Sequence, residues 1–148
     1  MGIADMASET ILSVKDLRVR FQTLDGTVEA VKGISIKVNA GETVAVVGES
    51  GSGKTTLGLA LARMISSTGA INFDGRDINQ LSFSAMRPLR RELQIVFQDP
   101  FSSLNPRMTI GQIIEEGLAV NRIGATRRER VERVREALVS AGMPGDIL

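Results

Sequence analysis

The sequence contains no cysteine, which excludes a disulfide framework and any metal site built on thiolates. That fits a reducing compartment. It contains no histidine either, so the commonest general base near neutral pH is missing. No run reaches the roughly 18 apolar residues needed to cross a bilayer. The opening "MGIADMASETILSV" lacks the basic segment and apolar stretch of a secretory signal. A net charge of +1 gives no case for a nucleic-acid partner. The expectation is a cytoplasmic chain whose membrane association, if any, comes through a partner.

What is present suffices for one core: 148 residues, 43% of them hydrophobic, point to one domain. "ILSVKDLRVRF" (Ile11–Phe21) alternates apolar and polar positions as a half-buried strand does, and Asp25-Gly26 is a hairpin turn signal. "VKGISIKVNAGE" alternates again up to a turn at Asn39-Ala40-Gly41, so the first part of the chain reads as antiparallel β-structure. "TVAVVG" is nearly continuous apolar sequence, the mark of a strand buried on both faces. Thr55 to Ile65, rich in Leu and Ala, reads as a helix. "GAINFDGRDI" predicts a short strand with a turn at Asp74-Gly75.

"FSAMRPLRREL" predicts a short helix interrupted or started at Pro88, and "LQIVFQ" a second apolar strand. Thr109 to Gln112 fits the capping-box pattern T-x-x-Q, opening a helix through about Val120. Thr126-Arg127-Arg128-Glu129 repeats the signal. Val131, Val134, Leu138 and Ala141 then share one helical face, and Gly142 is the stop. Glu129, Glu132 and Glu136 interleave with the arginines of this segment, which makes it a solvated face rather than an anion-binding one.

Gly48-Glu49-Ser50-Gly51-Ser52-Gly53-Lys54-Thr55 matches G-x-x-x-x-G-K-[ST] at every fixed position. Such a loop lets the backbone approach phosphate oxygens with no Cβ in the way. Its N–H groups form an anion nest backed by the positive end of the following helix. Lys54 can reach the β and γ phosphates, and the Thr55 hydroxyl can ligate Mg²⁺. Small nucleoside kinases share this loop but carry it close to the N-terminus, whereas here antiparallel-type sequence precedes it.

"LQIVFQDPFSSLNPRMTIGQIIEEGL" (Leu93–Leu118) resembles the Q-loop region of ABC-transporter ATPases, especially those of oligopeptide, dipeptide and microcin C importers. "VVGESGSGKTT" is similar to the same subfamily, and the resemblance extends over nearly the whole chain from Leu12. It implies an α/β, P-loop NTPase fold of ABC ATPase type. The parts would be an N-terminal antiparallel β-subdomain, the Walker A strand-loop-helix and the start of the helical subdomain. Residues 1–10 would be a flexible extension, and 11–148 the N-terminal portion of the ATPase domain.

The resemblance also implies ATP and Mg²⁺ as cofactors and assigns roles by position. Gly48, Glu49, Ser50, Gly51, Ser52, Gly53, Lys54 and Thr55 would form the Walker A loop, with Thr56 on the α-phosphate. Phe21 stands where the family has its adenine-stacking aromatic, a core-facing strand residue being the alternative. Gln98 would be the Q-loop glutamine, contacting Mg²⁺ and the attacking water, unless it is a plain polar strand cap. Lys54 and Gln98 would thus serve catalysis, and Thr55 and Gln98 the metal. Phe101 to Met108 would face the transmembrane partner, or form a plain surface loop.

The implied partners are transmembrane permease subunits and a second ATP-binding domain, as homodimer or heterodimer, with no nucleic acid. The implied location is the inner face of the cell membrane. No LSGGQ-type signature and no apolar strand ending in Asp-Glu occurs in the sequence. In "AINFDG", the nearest look-alike, Gly75 stands where the catalytic carboxylate would be, and the family's switch histidine is impossible here. The chain is therefore expected to be truncated: a fragment, a partial gene or half of a split one. Two other readings stay open, a non-hydrolysing nucleotide-binding module and an ABC-type ATPase of a soluble process such as DNA repair.

Overall fold

In the computed structural model, residues 9–99 and 103–146 are described. Most of the expected N-terminal extension, and Phe101 with its immediate neighbours, lie outside them. The chain divides into two compact units, the first ending at Ile95 and the second starting at Val96.

The first unit is built on the hairpin that the alternating pattern predicts. β1 (Thr10–Thr23) and β2 (Gly26–Asn39) pair antiparallel. β1 also pairs antiparallel with β3 (Thr68–Phe73), which turns at Asp74-Gly75 into the short β4 (Arg76–Asp77), giving the order β2-β1-β3-β4. The inward positions Val14, Leu17, Val19, Val31 and Ile71 are buried, and Leu57 and Ala60 of α1 (Lys54–Leu61) join their cluster. Burial of the Leu57 side chain, worth about 1.5–3 kcal/mol, with the smaller Ala60 beside it, holds α1 to this unit.

The one buried polar side chain among the described residues, Asn79, is satisfied: its amide donates to the Gly69 carbonyl at 2.7 Å and its carbonyl oxygen accepts from Ser67 at 3.1 Å. It ties the segment after β4 back to the start of β3.

Helix α1 stops earlier than the Leu/Ala-rich stretch suggests. Ala62 is its C-cap and Arg63 takes a positive φ of 54°. The Arg63 guanidinium donates to the carbonyls of Ile78 and Leu81 at 3.0 and 3.1 Å. These distant acceptors hold the residue in place, and helix propensity does not decide the end. The region around Pro88 breaks as expected, into α2 (Phe83–Met86) and a 3₁₀ turn (Leu89–Arg91) whose N-cap is Pro88.

Two expected strands do not form. Neither "TVAVVG" nor "LQIVFQ" belongs to a strand, and Val47 is 89% and Val96 94% exposed. A strand is made by its ladder, and among the described residues nothing pairs with either stretch. The apolar stretch before the phosphate loop therefore belongs to no sheet.

The second unit holds α3 (Ile110–Val120) and α4 (Arg127–Ser140). The Thr109 hydroxyl accepts from the Gln112 N–H and the Gln112 side chain accepts from the Thr109 N–H, a complete capping box. At α4 the Thr126 hydroxyl accepts from the Glu129 N–H, but the Glu129 carboxylate reaches one residue further back, to the N–H of Ala125. Val134 and Leu138 are buried, Val131 is half-buried, and Ala141, expected on the same face, is exposed as the C-cap. Gly142 follows with a φ of 75° and ends the helix. Arg130 pairs with Glu115 at 3.4 Å, joining the two helices. Among the described residues no helix is long and apolar enough to cross a membrane.

Candidate nucleotide site

The phosphate loop lies between the exposed segment ending at Val47 and the first turn of α1. Gly53 is the N-cap of α1, with a φ of 92°. Its carbonyl accepts from the Leu57 N–H at 2.8 Å, and the Ser52 N–H bonds the Glu49 carbonyl at 3.3 Å to close the loop's turn. Lys54 bends back over the loop. Its ammonium donates to the carbonyls of Gly48 at 2.8 Å and Glu49 at 2.6 Å, with Ser52 Oγ at 3.4 Å. The loop's own carbonyls thereby hold the ammonium turned inward.

A cavity of about 440 Å³ opens beside this arrangement. Gly48, Ser52, Gly53 and Lys54 line it together with Ala30, Lys32 and Ile34 of β2. The β2 residues belong to no motif, and only the hairpin's position brings them there, so no local signal in the sequence could have found them. Thr55 is exposed and Thr56 half-buried at the start of α1, while Glu49, Ser50 and Gly51 are exposed loop positions.

Of the other expected site residues, Phe21 is in the first unit and Gln98 in the second. Phe21 is not a core residue: it is 42% exposed on β1, opposite the exposed Val28 near the hairpin turn, and it does not line the cavity. Gln98 belongs to the second unit, where it is exposed at a bend outside any helix or strand.

The loop suits a phosphate chain by its lysine and by its open backbone at Gly51, where a Cβ would meet nothing within 4 Å. At Gly48 a Cβ would stand 2.8 Å from the Ser52 hydroxyl, so a side chain there would have to displace that hydroxyl. For Mg²⁺ the fit is narrower. No group of three or more His, Cys, Asp or Glu capable of holding a metal occurs among the described residues. In the first unit the Thr55 hydroxyl is the only expected protein ligand, which suits an ion carried in by a nucleotide's own phosphates.

Electrostatics elsewhere on the hairpin are set by a short chain of ion pairs. Arg18 bonds Asp16 at 2.9 Å and Glu29 at 3.4 Å, and Arg20 bonds Glu29 at 3.1 Å. Burial pushes the Glu29 carboxyl up, but hydrogen bonds and charge from Arg20 and Arg18 together outweigh it and hold it below its ordinary value.

A glycine-rich loop capped by a helix N-terminus, with its lysine turned inward beside an antiparallel sheet, defines a nucleotide-binding protein of the P-loop class. The model of the ABC transporter family matches residues 31–147, and the chain belongs to that family. It is 48% identical over 147 residues to a peptidoglycan transport ATP-binding protein, YejF, of Agrobacterium fabrum, covering 95% of this chain and 27% of that protein. It is 47% identical to a putative peptide import ATP-binding protein of Brucella ovis, covering 97% of this chain and 45% of that protein. The oligopeptide transport ATP-binding protein OppF of Bacillus subtilis is 41% identical, with coverages of 92% and 45%.

Among solved structures, a dimeric bacterial ABC transporter cassette, MJ0796, superposes with a TM-score of 0.77 at 25% identity, covering 92% of this chain and 59% of that one. A second structure of that cassette holds ADP and phosphate after hydrolysis. The chain therefore spans 27 to 45% of the length of these curated relatives.

Proposed function

We propose that this chain is the nucleotide-gripping part of a peptide-type importer's ATP-binding subunit. The observation that carries the reading is Lys54, whose ammonium is turned back onto the Gly48 and Glu49 carbonyls of a glycine-rich loop at the start of α1. The loop N–H groups and the start of α1 would take the β and γ phosphates, and Lys54 would exchange its bonds to the Gly48 and Glu49 carbonyls for bonds to phosphate oxygens. Thr55 would ligate the Mg²⁺ that accompanies the nucleotide, and Thr56 would face the α-phosphate. Phe21, exposed beside Val28, offers an apolar surface for an adenine ring. Gln98 would orient water toward the metal-bound phosphates.

Bound Mg²⁺ would supply charge neutralisation at the phosphates. The residues of this chain supply binding and orientation. The sequence holds no histidine and no apolar stretch ending in Asp-Glu, so the chain by itself binds ATP without turning it over at an ATPase's rate. Loss of a catalytic base alone forfeits about 10²–10⁴ in rate. The names of the relatives support peptide import as the process, with permease subunits in the membrane and a second ATP-binding domain as partners, and hence a place on the inner face of the membrane.

Phosphate release from ATP, measured for the 148-residue chain and for a form extended to its relatives' length, tests this. Turnover restored only in the longer form, which also co-purifies with membrane subunits, is the expected result. Rapid turnover by the 148-residue chain would contradict it.

A further inference from the structure

The ladder between β1 and β2 skips a residue beside the phosphate loop. Val19 faces Val31 and Arg20 faces Glu29, which leaves Ala30 without a partner on β1. An extra residue of this kind is a β-bulge, and it turns local backbone groups out of the ladder. At Ala30 the carbonyl is turned toward Gly53: a Cβ on Gly53 would stand 2.5 Å from the Ala30 carbonyl oxygen and 4.0 Å from a Val31 methyl. Gly51 has a similar positive φ of 78°, yet a Cβ there would meet nothing within 4 Å. The demand for glycine at 53 thus has two sources, backbone conformation and the bulge, and at Gly51 only the first.

We propose that the bulge at Ala30 is a positioning device for the phosphate loop. Its backbone seats directly on Gly53 and so fixes the first turn of α1, and with it Lys54, against the hairpin. This rests on the reading of Gly48 to Thr55 as a nucleotide site. A contact between two backbones has no rotamer to relax, so it transmits the hairpin's position to the loop more rigidly than a side chain could. The sheet end of this contact is firm, because Val19 and Val31 on the adjoining rung are both buried. Ala30 acts through Gly53 and is a positioning residue.

Deletion of Ala30 removes the bulge cleanly. Glu29 would then precede Val31 directly, and the pairs Arg20–Glu29 and Val19–Val31 would stay in register with each side chain on its present face. The experiment measures the affinity of this variant for ATP and for AMP in the presence of Mg²⁺, with circular dichroism as the check on folding. The expected result is ATP affinity weakened on the order of tenfold, the size of one misaligned charge-assisted hydrogen bond. AMP, which makes no use of Lys54's reach, should change far less. An unchanged ratio of ATP to AMP affinity overturns the proposal.

Should the deletion variant not fold, Gly53→Ala and Gly51→Ala decide. Hydrogen exchange at the Leu57 amide, which donates to the Gly53 carbonyl at 2.8 Å, should, without nucleotide, accelerate more in Gly53→Ala than in Gly51→Ala, and equal acceleration overturns the proposal. Lys54→Ala serves as the control for the underlying reading. If that variant kept wild-type ATP affinity, the nucleotide site itself would be misassigned, whatever the bulge does.

Discussion

Glu29 stands one residue before the bulge and accepts from both Arg20 and Arg18. Because its pKa in the folded chain lies below the ordinary value, its ionised form is favoured by folding. The stability it contributes is present above the unfolded carboxylate pKa and is lost as pH falls through the lowered folded value. Glu29→Gln should therefore flatten the acid side of the stability profile, below about pH 4.3, as read by thermal unfolding across pH. An unchanged acid limb would show that the two arginines do not hold this carboxylate. At the same scale, Lys54 was legible from the motif alone. Ala30 was not, since its approach to Gly53 exists only once the hairpin has folded against α1.

Helix starts are the most locally encoded elements here. The T-x-x-Q pattern at Thr109 closes a reciprocal box within four successive residues, so sequence and structure agree in detail. Thr109→Ala should cost about 1 kcal/mol, measured as a shift in the urea midpoint of the second unit, and no shift would mean that the box is idle. The elements that sequence patterns misjudge are those decided by distant groups. Helix α1 ends where Arg63 finds the carbonyls of Ile78 and Leu81. The apolar stretches at 43–48 and 93–98 have strand composition, but a strand also needs neighbours, and composition carries no information about whether neighbours are present. Phe21 shows the same limit, because the alternating pattern fits either a core face or an exposed platform, and only the fold puts it at 42% exposure.

For the whole molecule, the family assignment and the short span relative to its relatives bear on the exposed valines. Val47, 89% exposed in this chain, has the composition of a buried strand residue. Val47→Lys should change the stability of the 148-residue chain by no more than about 0.5 kcal/mol, whereas in a form of the relatives' length it should be severely destabilising. Equal, small effects in both forms would mean that this stretch never acquires a sheet. The antiparallel hairpin, the loop and the two capped helices were all legible in the sequence, because each is encoded by patterns a few residues long. The seating of the loop on β2 was not.

The central claim is that Gly48 to Thr55, with Lys54 as its cation, grips the phosphates of a nucleotide. The most direct test is titration of Mg²⁺-ATP into the 148-residue chain and into its Lys54→Ala variant, followed by calorimetry. Loss of a charge-assisted bond to phosphate costs about 1.5–3 kcal/mol, so saturable binding by the wild-type chain should weaken by about ten- to a hundredfold in the variant. Equal affinity in the two proteins, or no saturable binding to either, would contradict the account.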